Sequence, residues 1–368
     1  MITRRKFFRQ ATLTALAASF GNCVWRTGGQ PQQSKEKTDK KSIGVALVGL
    51  GYYSRDLLAP ALQLTQHCHL AGIVTGSPDK IPVWQQRYDI KDANVYNYDN
   101  MDRIADNPDI DVIYIVLPTG LHAKYAIKAA NTGKHVWCEK PMARTAAECQ
   151  SIIDACRKNK VKLSIGYRMQ HEPNTQRVMG LGRKRPFGKI LNITAEAGYR
   201  ESRAGHWKLD KSMGGGAMYD MGVYPLNAAR YSAQEEPIAV AASHEITRPQ
   251  LYTEVDEITR FKLEFPSGAI ANGMVSFAGG YNHLKVDCEK AWYELKPFQS
   301  YSGVSGQMSD GTQWPAFGGN QQAKQMDDDA LAILNDTPVM VPGEDGLKDI
   351  AIVEAIYKSA ASGTRVAL

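Results

Sequence analysis

The stretch "SIGVALVGLGYYSRDLLAPAL", residues 42–62, constrains this chain more than any other. A β-branched apolar run leads into a glycine turn, Gly49-Leu50-Gly51-Tyr52-Tyr53-Ser54, and then into the start of a helix. Gly49 permits the tight turn and Gly51 lets the backbone approach a pyrophosphate. The third position needs a small residue where helix packs on strand, and Ser54 is small enough. The helix N-terminus then offers free N–H groups and a positive dipole end to phosphates. Flanked by that strand and helix, the turn predicts a dinucleotide site with Gly49, Gly51, Tyr52, Tyr53 and Ser54 against the cofactor. Without the flanks it would be only a glycine turn of an α/β protein.

The second strand, "HCHLAGIVTGS", arrives about 20 residues later, where NAD sites place Asp or Glu against the ribose 2′-hydroxyl. This chain has Thr75-Gly76-Ser77 there, with Lys80 close behind. No carboxylate opposes a 2′-phosphate, while two hydroxyls and an ammonium can bind one, so the expectation is NADP rather than NAD. The alternation continues through the buried strand "DIDVIYIVLP", the helix "GLHAKYAIKAANTG", the strand "HVWCEKPMA", the helix "TAAECQSIIDACRKN" and the strand "KLSIGYRM". A parallel, doubly wound sheet over residues 43–167 follows. Ligands of such sheets lie beyond the strand C-termini. Pro118, Thr119, His122, Glu139, Lys140 and Arg168 fall there and complete the set of candidate cofactor contacts.

From residue 168 the texture changes to alternating strands separated by tight turns: "KILNITAEAGYR", "PIAVAASHEI", "DEITRFKLEF", "AIANGMVSF" and "LKVDCEKAWYEL". They predict a second α/β domain, residues 168–368, with a large, mostly antiparallel open sheet, whose last helices pack back on the first domain. Inside it "MGGGAMYDMGVYPLNAARYS" leads three glycines into a helix carrying Asp220, Tyr224 and Asn227. The spacing i, i+4, i+7 puts all three on one face. With Lys140 and Arg168 they are the candidate substrate-binding residues.

The chain begins "MITRRKFFRQ", ahead of the short apolar run "ATLTALAASFG". Arg4 and Arg5 read as the twin-arginine pair of an export leader for proteins that fold before crossing a membrane. The apolar run is too short to span a bilayer, which takes about 20 residues. Residues 1–42 form leader and linker arm in this reading, the twin-arginine export machinery is a partner, and the destination is the periplasm. A lipid anchor at Cys23 is a minor alternative, since Asn22 fits poorly before it. Residues 1–42 hold nine of the 44 Lys and Arg and two of the 38 Asp and Glu, leaving 35 basic and 36 acidic residues in the rest. The formal charge of +6 therefore gives no support for nucleic-acid binding. Six cysteines without tight spacing and eight scattered histidines predict neither a disulfide framework nor a metal site.

Taken together, GLGYYS after the first strand, EKPMA after a later one, GYR at the start of the second domain, GGGAMYDMGVYPLN and the C-terminal "VPGEDGLKDIAIVEAIYKSAASGTRVAL" resemble the glucose–fructose oxidoreductase / inositol dehydrogenase family over residues 43–368. With the leader, the resemblance is to its exported glucose–fructose branch. It implies a sugar or polyol bound between the two domains. A nucleotide enzyme that leaves the cytoplasm folded must carry its cofactor out, so tightly held NADP is expected, in a homodimer or homotetramer. The resemblance also implies that Lys140 sits near the nicotinamide and the reacting hydroxyl, and that Asp220 is the family's helix aspartate. Tyr224 then occupies the acid/base position, where many members carry His. The chemistry agrees. Removing hydride from a hydroxyl carbon requires a base at the oxygen. A free tyrosine titrates near 10, and an ammonium such as Lys140 would lower that value. Two other readings stay open: a glycosidase that uses bound NAD for transient oxidation and elimination, and a nucleotide-bound protein without turnover.

Overall fold

Every residue of the first strand, Ile43–Val48, is buried, as a central parallel strand covered on both faces should be. The computed structural model describes residues 41–368, so the expected leader, its twin arginines and Cys23 lie outside the described residues. The first sheet takes β1 (Ile43–Val48), then a helix that starts as a π turn over Tyr53–Leu58 and continues as α1 (Ala59–Leu62). β2 (Cys68–Val74), α2 (Ile81–Tyr88), β3 (Val95–Tyr96) and β4 (Val112–Ile115) follow. α3 (Thr119–Ala130), β5 (His135–Cys138), α4 (Ala146–Lys158) and β6 (Leu163–Ile165) complete it. The six strands are parallel in the order β3-β2-β1-β4-β5-β6, the doubly wound order that opens a ligand crevice where the chain reverses direction from β1. Val45 and Leu47 face one core layer with Leu58 and Trp84, while Ala46 and Val48 face the other with Ile113 and Ala126. Each such apolar side chain contributes about 1.5–3 kcal/mol when fully buried.

The chain then runs through α5 (Arg168–His171) and α6 (Pro173–Lys184), a helix not expected from the sequence, into β7 (Ile190–Gly198). The glycine-led helix begins as a π turn over Met218–Gly222 and continues as α7 (Val223–Ala233). β8 (Ala239–Glu245), β9 (Ile258–Glu264), β10 (Ile270–Ser276), β11 (Tyr281–Cys288), β12 (Trp292–Leu295), β13 (Gly306–Met308) and β14 (Gln313–Trp314) are followed by α8 (Gln321–Leu334), α9 (Gly343–Ser362) and β15 (Val366–Ala367). The nine-stranded sheet has the order β14-β13-β12-β11-β7-β10-β9-β8-β15, antiparallel except for the β7–β10 pair. "LKVDCEKAWYEL", expected as one strand, is instead a hairpin with Leu284 opposite Leu295. Cys288 N–H closes its turn on the Ala291 carbonyl, and Glu289 leaves the ladder to bond Lys189. α8 returns to the first sheet: Ala323, Met326 and Ala330 share the core layer of Val45 and Leu47.

Among the described residues the five cysteines are free thiols, no cluster of His, Cys, Asp or Glu could hold a metal ion, and no helix is long and apolar enough to cross a membrane.

Candidate active site

A cleft of about 360 Å³ opens at the C-terminal ends of the first sheet's strands, walled on the far side by the helix at Met218–Gly222 and by two loops of the second sheet. Gly51, Tyr52, Tyr53, Pro118, Thr119, Glu139 and Lys140 line one wall, and Asp220 and Tyr224 line the other. Sequence reasoning therefore brings together nine of its candidates.

The glycine turn fits a dinucleotide. Gly49 has φ +93°, and a Cβ there would meet the Val116 carbonyl oxygen at 2.4 Å. Nothing lies within 4 Å of where a Cβ of Gly51 would stand, so the turn presents bare backbone to the cleft. Ser54 is buried, and its hydroxyl donates to the Gly49 carbonyl at 2.6 Å: it closes the turn rather than reaching a ligand. At the end of β2, Thr75 Oγ1 accepts from the Ser77 N–H at 3.0 Å. Lys80 Nζ donates to the carbonyl of Leu50, inside the glycine turn, at 3.2 Å. His122 is buried with its ring nitrogens 2.9 and 2.8 Å from the carbonyl oxygens of Pro141 and Leu117. It ties the loops after β4 and β5 together and does not face the cleft, which corrects its expected contact with the cofactor.

Lys140 crosses to the other wall. Its ammonium donates to the backbone carbonyl of Asp220 at 2.7 Å and lies 4.4 Å from the centroid of the Tyr224 ring. Asp220 Oδ2 accepts from Lys208 Nζ at 2.7 Å and from the Tyr199 hydroxyl at 3.0 Å. Burial is the largest influence on this carboxyl and raises its pKa, but Lys208 and Lys140 outweigh it and hold the group below the usual carboxylate range. Glu139 is buried beside them and accepts from the Tyr114 hydroxyl at 2.6 Å. Burial pushes its pKa up to about 7, partly opposed by Tyr114 and Lys140. The expected depression of the Tyr224 pKa is corrected here. Burial pushes the phenol up to about 12, and Arg168 only partly offsets it. Lys140 sits against the ring, and burial keeps Tyr224 protonated across the neutral range.

Two of the candidate substrate-binding residues are not brought to the cleft. Arg168 is buried and spends its guanidinium on Gln321 Oε1 at 2.7 Å and on the carbonyls of Gln299 and Ser300. Its planar head lies 5.6 Å from the Tyr224 ring and 4.6 Å from the Tyr301 ring. The short helix α5 turns it there, where an extended strand had been expected. Asn227 bonds Gln170 on α5 and Asp345 and Asp349 on α9. Asn227, on α7 one turn beyond Tyr224, is thus tied to α5 and α9 instead of the cleft.

Four residues of the site were not singled out from the sequence. His206 and Trp207 lie on the loop between β7 and the glycine-led helix and line the cleft, as does Tyr301 from the loop after β12. Lys208, beside them, holds Asp220. A "HWK" triplet in a loop was the only local signal. The three glycines before the helix serve this loop: a Cβ at Gly216, φ +114°, would stand 2.3 Å from Asp256 Oδ1. Asp256 Oδ2 in turn accepts the N–H of Met218 at the helix start.

Comparison with known proteins agrees with this geometry. Over 89% of its length the chain superimposes on all of an aldose-aldose oxidoreductase from Caulobacter crescentus, complexed with glycerol, with a TM-score of 0.86 and 37% identity. A D-xylose 1-dehydrogenase [NADP(+)] from Haloarcula marismortui is 27% identical over 378 residues, covering 96% of this chain and 99% of its own length. The fold is shared with a 3-ketoreductase from Actinomadura kijaniata in complex with TDP-benzene and NADP, at a TM-score of 0.72 and 22% identity over 86% of this chain and 98% of that one. Residues 43–167 match the model of the oxidoreductase family with an NAD-binding Rossmann fold, and residues 176–294 match that family's own C-terminal domain. The chain thus belongs to the glucose–fructose oxidoreductase / inositol dehydrogenase family and is an NAD(P)-dependent oxidoreductase.

Proposed function

We propose that this protein is an exported sugar oxidoreductase that passes hydride between a sugar hydroxyl carbon and a captive NADP, which a second sugar recycles without release. One observation carries the reading: Lys140, Asp220 and Tyr224 converge in the cleft that begins at the Gly51 turn. The nucleotide, when bound, supplies the hydride acceptor or donor. The chain supplies orientation and the proton. Tyr224 holds its proton at neutral pH and donates it to a carbonyl oxygen in the reducing direction. In the oxidising direction only its phenolate takes a proton. Asp220, kept ionised, accepts from a sugar hydroxyl, and Lys140 fixes the helix through the Asp220 carbonyl. The similarity to an aldose-aldose oxidoreductase supports two sugars as the substrate pair.

NADP is favoured because Lys80 is drawn to the Leu50 carbonyl of the glycine turn and no acid stands at the end of β2. Export rests on Arg4 and Arg5. A captive cofactor suits an exported enzyme, which meets no free nucleotide pool.

The test is Tyr224→Phe, which keeps the ring and removes the ionisable hydroxyl. The variant should hold nucleotide and lose turnover by about 10²–10⁴-fold, with both half-reactions slowed. In the unaltered enzyme the oxidising half-reaction should accelerate with pH and the reducing one should not. Near-normal rates in both halves of Tyr224→Phe would make Tyr224 a packing residue and end this reading.

A further inference from the structure

Tyr301 is half-exposed, at 42%, yet the three residues before it are each hydrogen-bonded to neighbouring elements. Its loop, between β12 and β13, is pinned from two sides. On β11, Asn282 Oδ1 accepts the N–H groups of Phe298 at 2.7 Å and Gln299 at 2.9 Å, and its Nδ2 donates to Ser300 Oγ at 2.8 Å. From α5, buried Arg168 donates to the Gln299 and Ser300 carbonyls and places its guanidinium 4.6 Å from the Tyr301 ring. The result is a ring delivered to the Tyr53 ring of the glycine turn, centroids 5.9 Å apart and tilted by 38°. It is the aromatic face of Tyr301 that meets Tyr53 and Arg168.

These two tyrosines come from opposite walls, and both line the cleft that also holds Gly51, Lys140 and Tyr224. We propose that Tyr53 and Tyr301 form a clasp over the bound dinucleotide, with Arg168 and Asn282 as its positioning residues, and that this clasp sets how slowly the nucleotide leaves. The proposal deepens the captive-cofactor reading and rests on it. A nucleotide that fills the cleft is walled by both rings, and its departure requires the Tyr53–Tyr301 contact to part. Because Arg168 also lies 5.6 Å from the Tyr224 ring, the same guanidinium supports the clasp and the acid/base.

The experiment uses the full-length holoprotein. Nucleotide retained per chain is counted after desalting. Its release is then followed as loss of bound reduced-nicotinamide fluorescence during a chase with excess NADP. Tyr301→Ala should release about ten- to a hundredfold faster, the range that one or two aromatic contacts supply. Tyr301→Phe should match the unaltered protein, and Asn282→Ala, which frees the loop without touching the cleft, should move in the direction of Tyr301→Ala. Two-sugar turnover of Tyr301→Ala should fade on dilution and return with added NADP. Release from both Tyr301→Ala and Asn282→Ala as slow as from the unaltered protein would overturn the clasp. If the unaltered protein keeps no nucleotide through desalting, the captive-cofactor reading falls instead. The clasp is then decided by titrating NADPH: equal affinities for Tyr301→Ala and the unaltered chain would end it.

Discussion

Replacing Lys208 with Met removes an ammonium from a nearly enclosed carboxylate and keeps most of the apolar stem. In the structure Nζ lies 2.7 Å from Asp220 Oδ2, with the two side chains 21% and 11% exposed. Removing one partner of a fully buried pair costs about 3–5 kcal/mol. This pair is not wholly dry, and Tyr199 and Lys140 remain near Asp220, so about 2–3 kcal/mol near pH 7.5 is expected. The pH dependence has a definite sign. In the parent protein the folded pKa of Asp220 lies below its unfolded value, so its contribution is present above about pH 4 and is lost only as pH falls through the folded pKa. In Lys208→Met the burial that raises this pKa meets less opposition, and the folded value moves up. At a given pH the folded variant then binds more protons than the folded parent, so its stability relative to the parent falls as pH rises between the two folded pKa values. The stability gap between parent and variant should therefore widen as pH rises through that interval and level off above it. Urea unfolding followed by tryptophan fluorescence measures it. In a background of Asp220→Asn the gap should no longer depend on pH, and the two substitutions should be strongly non-additive. A gap that is constant with pH, together with additive effects, would show that Lys208 does not act through Asp220.

Lys80→Ala should weaken NADP far more than NAD in direct titrations, and equal losses would remove Lys80 from the 2′-phosphate. Gly51→Ala should melt like the parent, since its Cβ meets nothing within 4 Å, yet bind nucleotide poorly. Gly49→Ala should lower the melting temperature, because its Cβ is forced toward the Val116 carbonyl in a backbone conformation that disfavours side chains. Matching thermal scans for the two would contradict this division of labour. Conversion of Arg4 and Arg5 to Lys should leave precursor with bound nucleotide in the cytoplasm, and normal export of that variant would dispose of the twin-arginine reading.

The first sheet was legible because its determinants are local. Continuous apolar runs, a glycine turn and amphipathic helices each occupy neighbouring residues, and the right-handed crossover rule does the rest. Lys140 and the Gly49–Ser54 turn were legible for the same reason: the position of a residue at a strand end is itself a statement about ligands. Asp220 and Tyr224 shared a helical face in the sequence and both line the cleft, but Asn227 is engaged by Gln170, Asp345 and Asp349, partners that spacing along one helix does not reveal. Only tertiary structure brought Lys208 to the Asp220 carboxylate and Tyr301 to Tyr53, across 12 and 248 residues of chain. It also decided the state of Tyr224. The family resemblance implied a lysine beside the reacting hydroxyl that would lower the phenol's pKa. Burial raised it to about 12, because desolvation depends on everything packed around the side chain and not on a single cation.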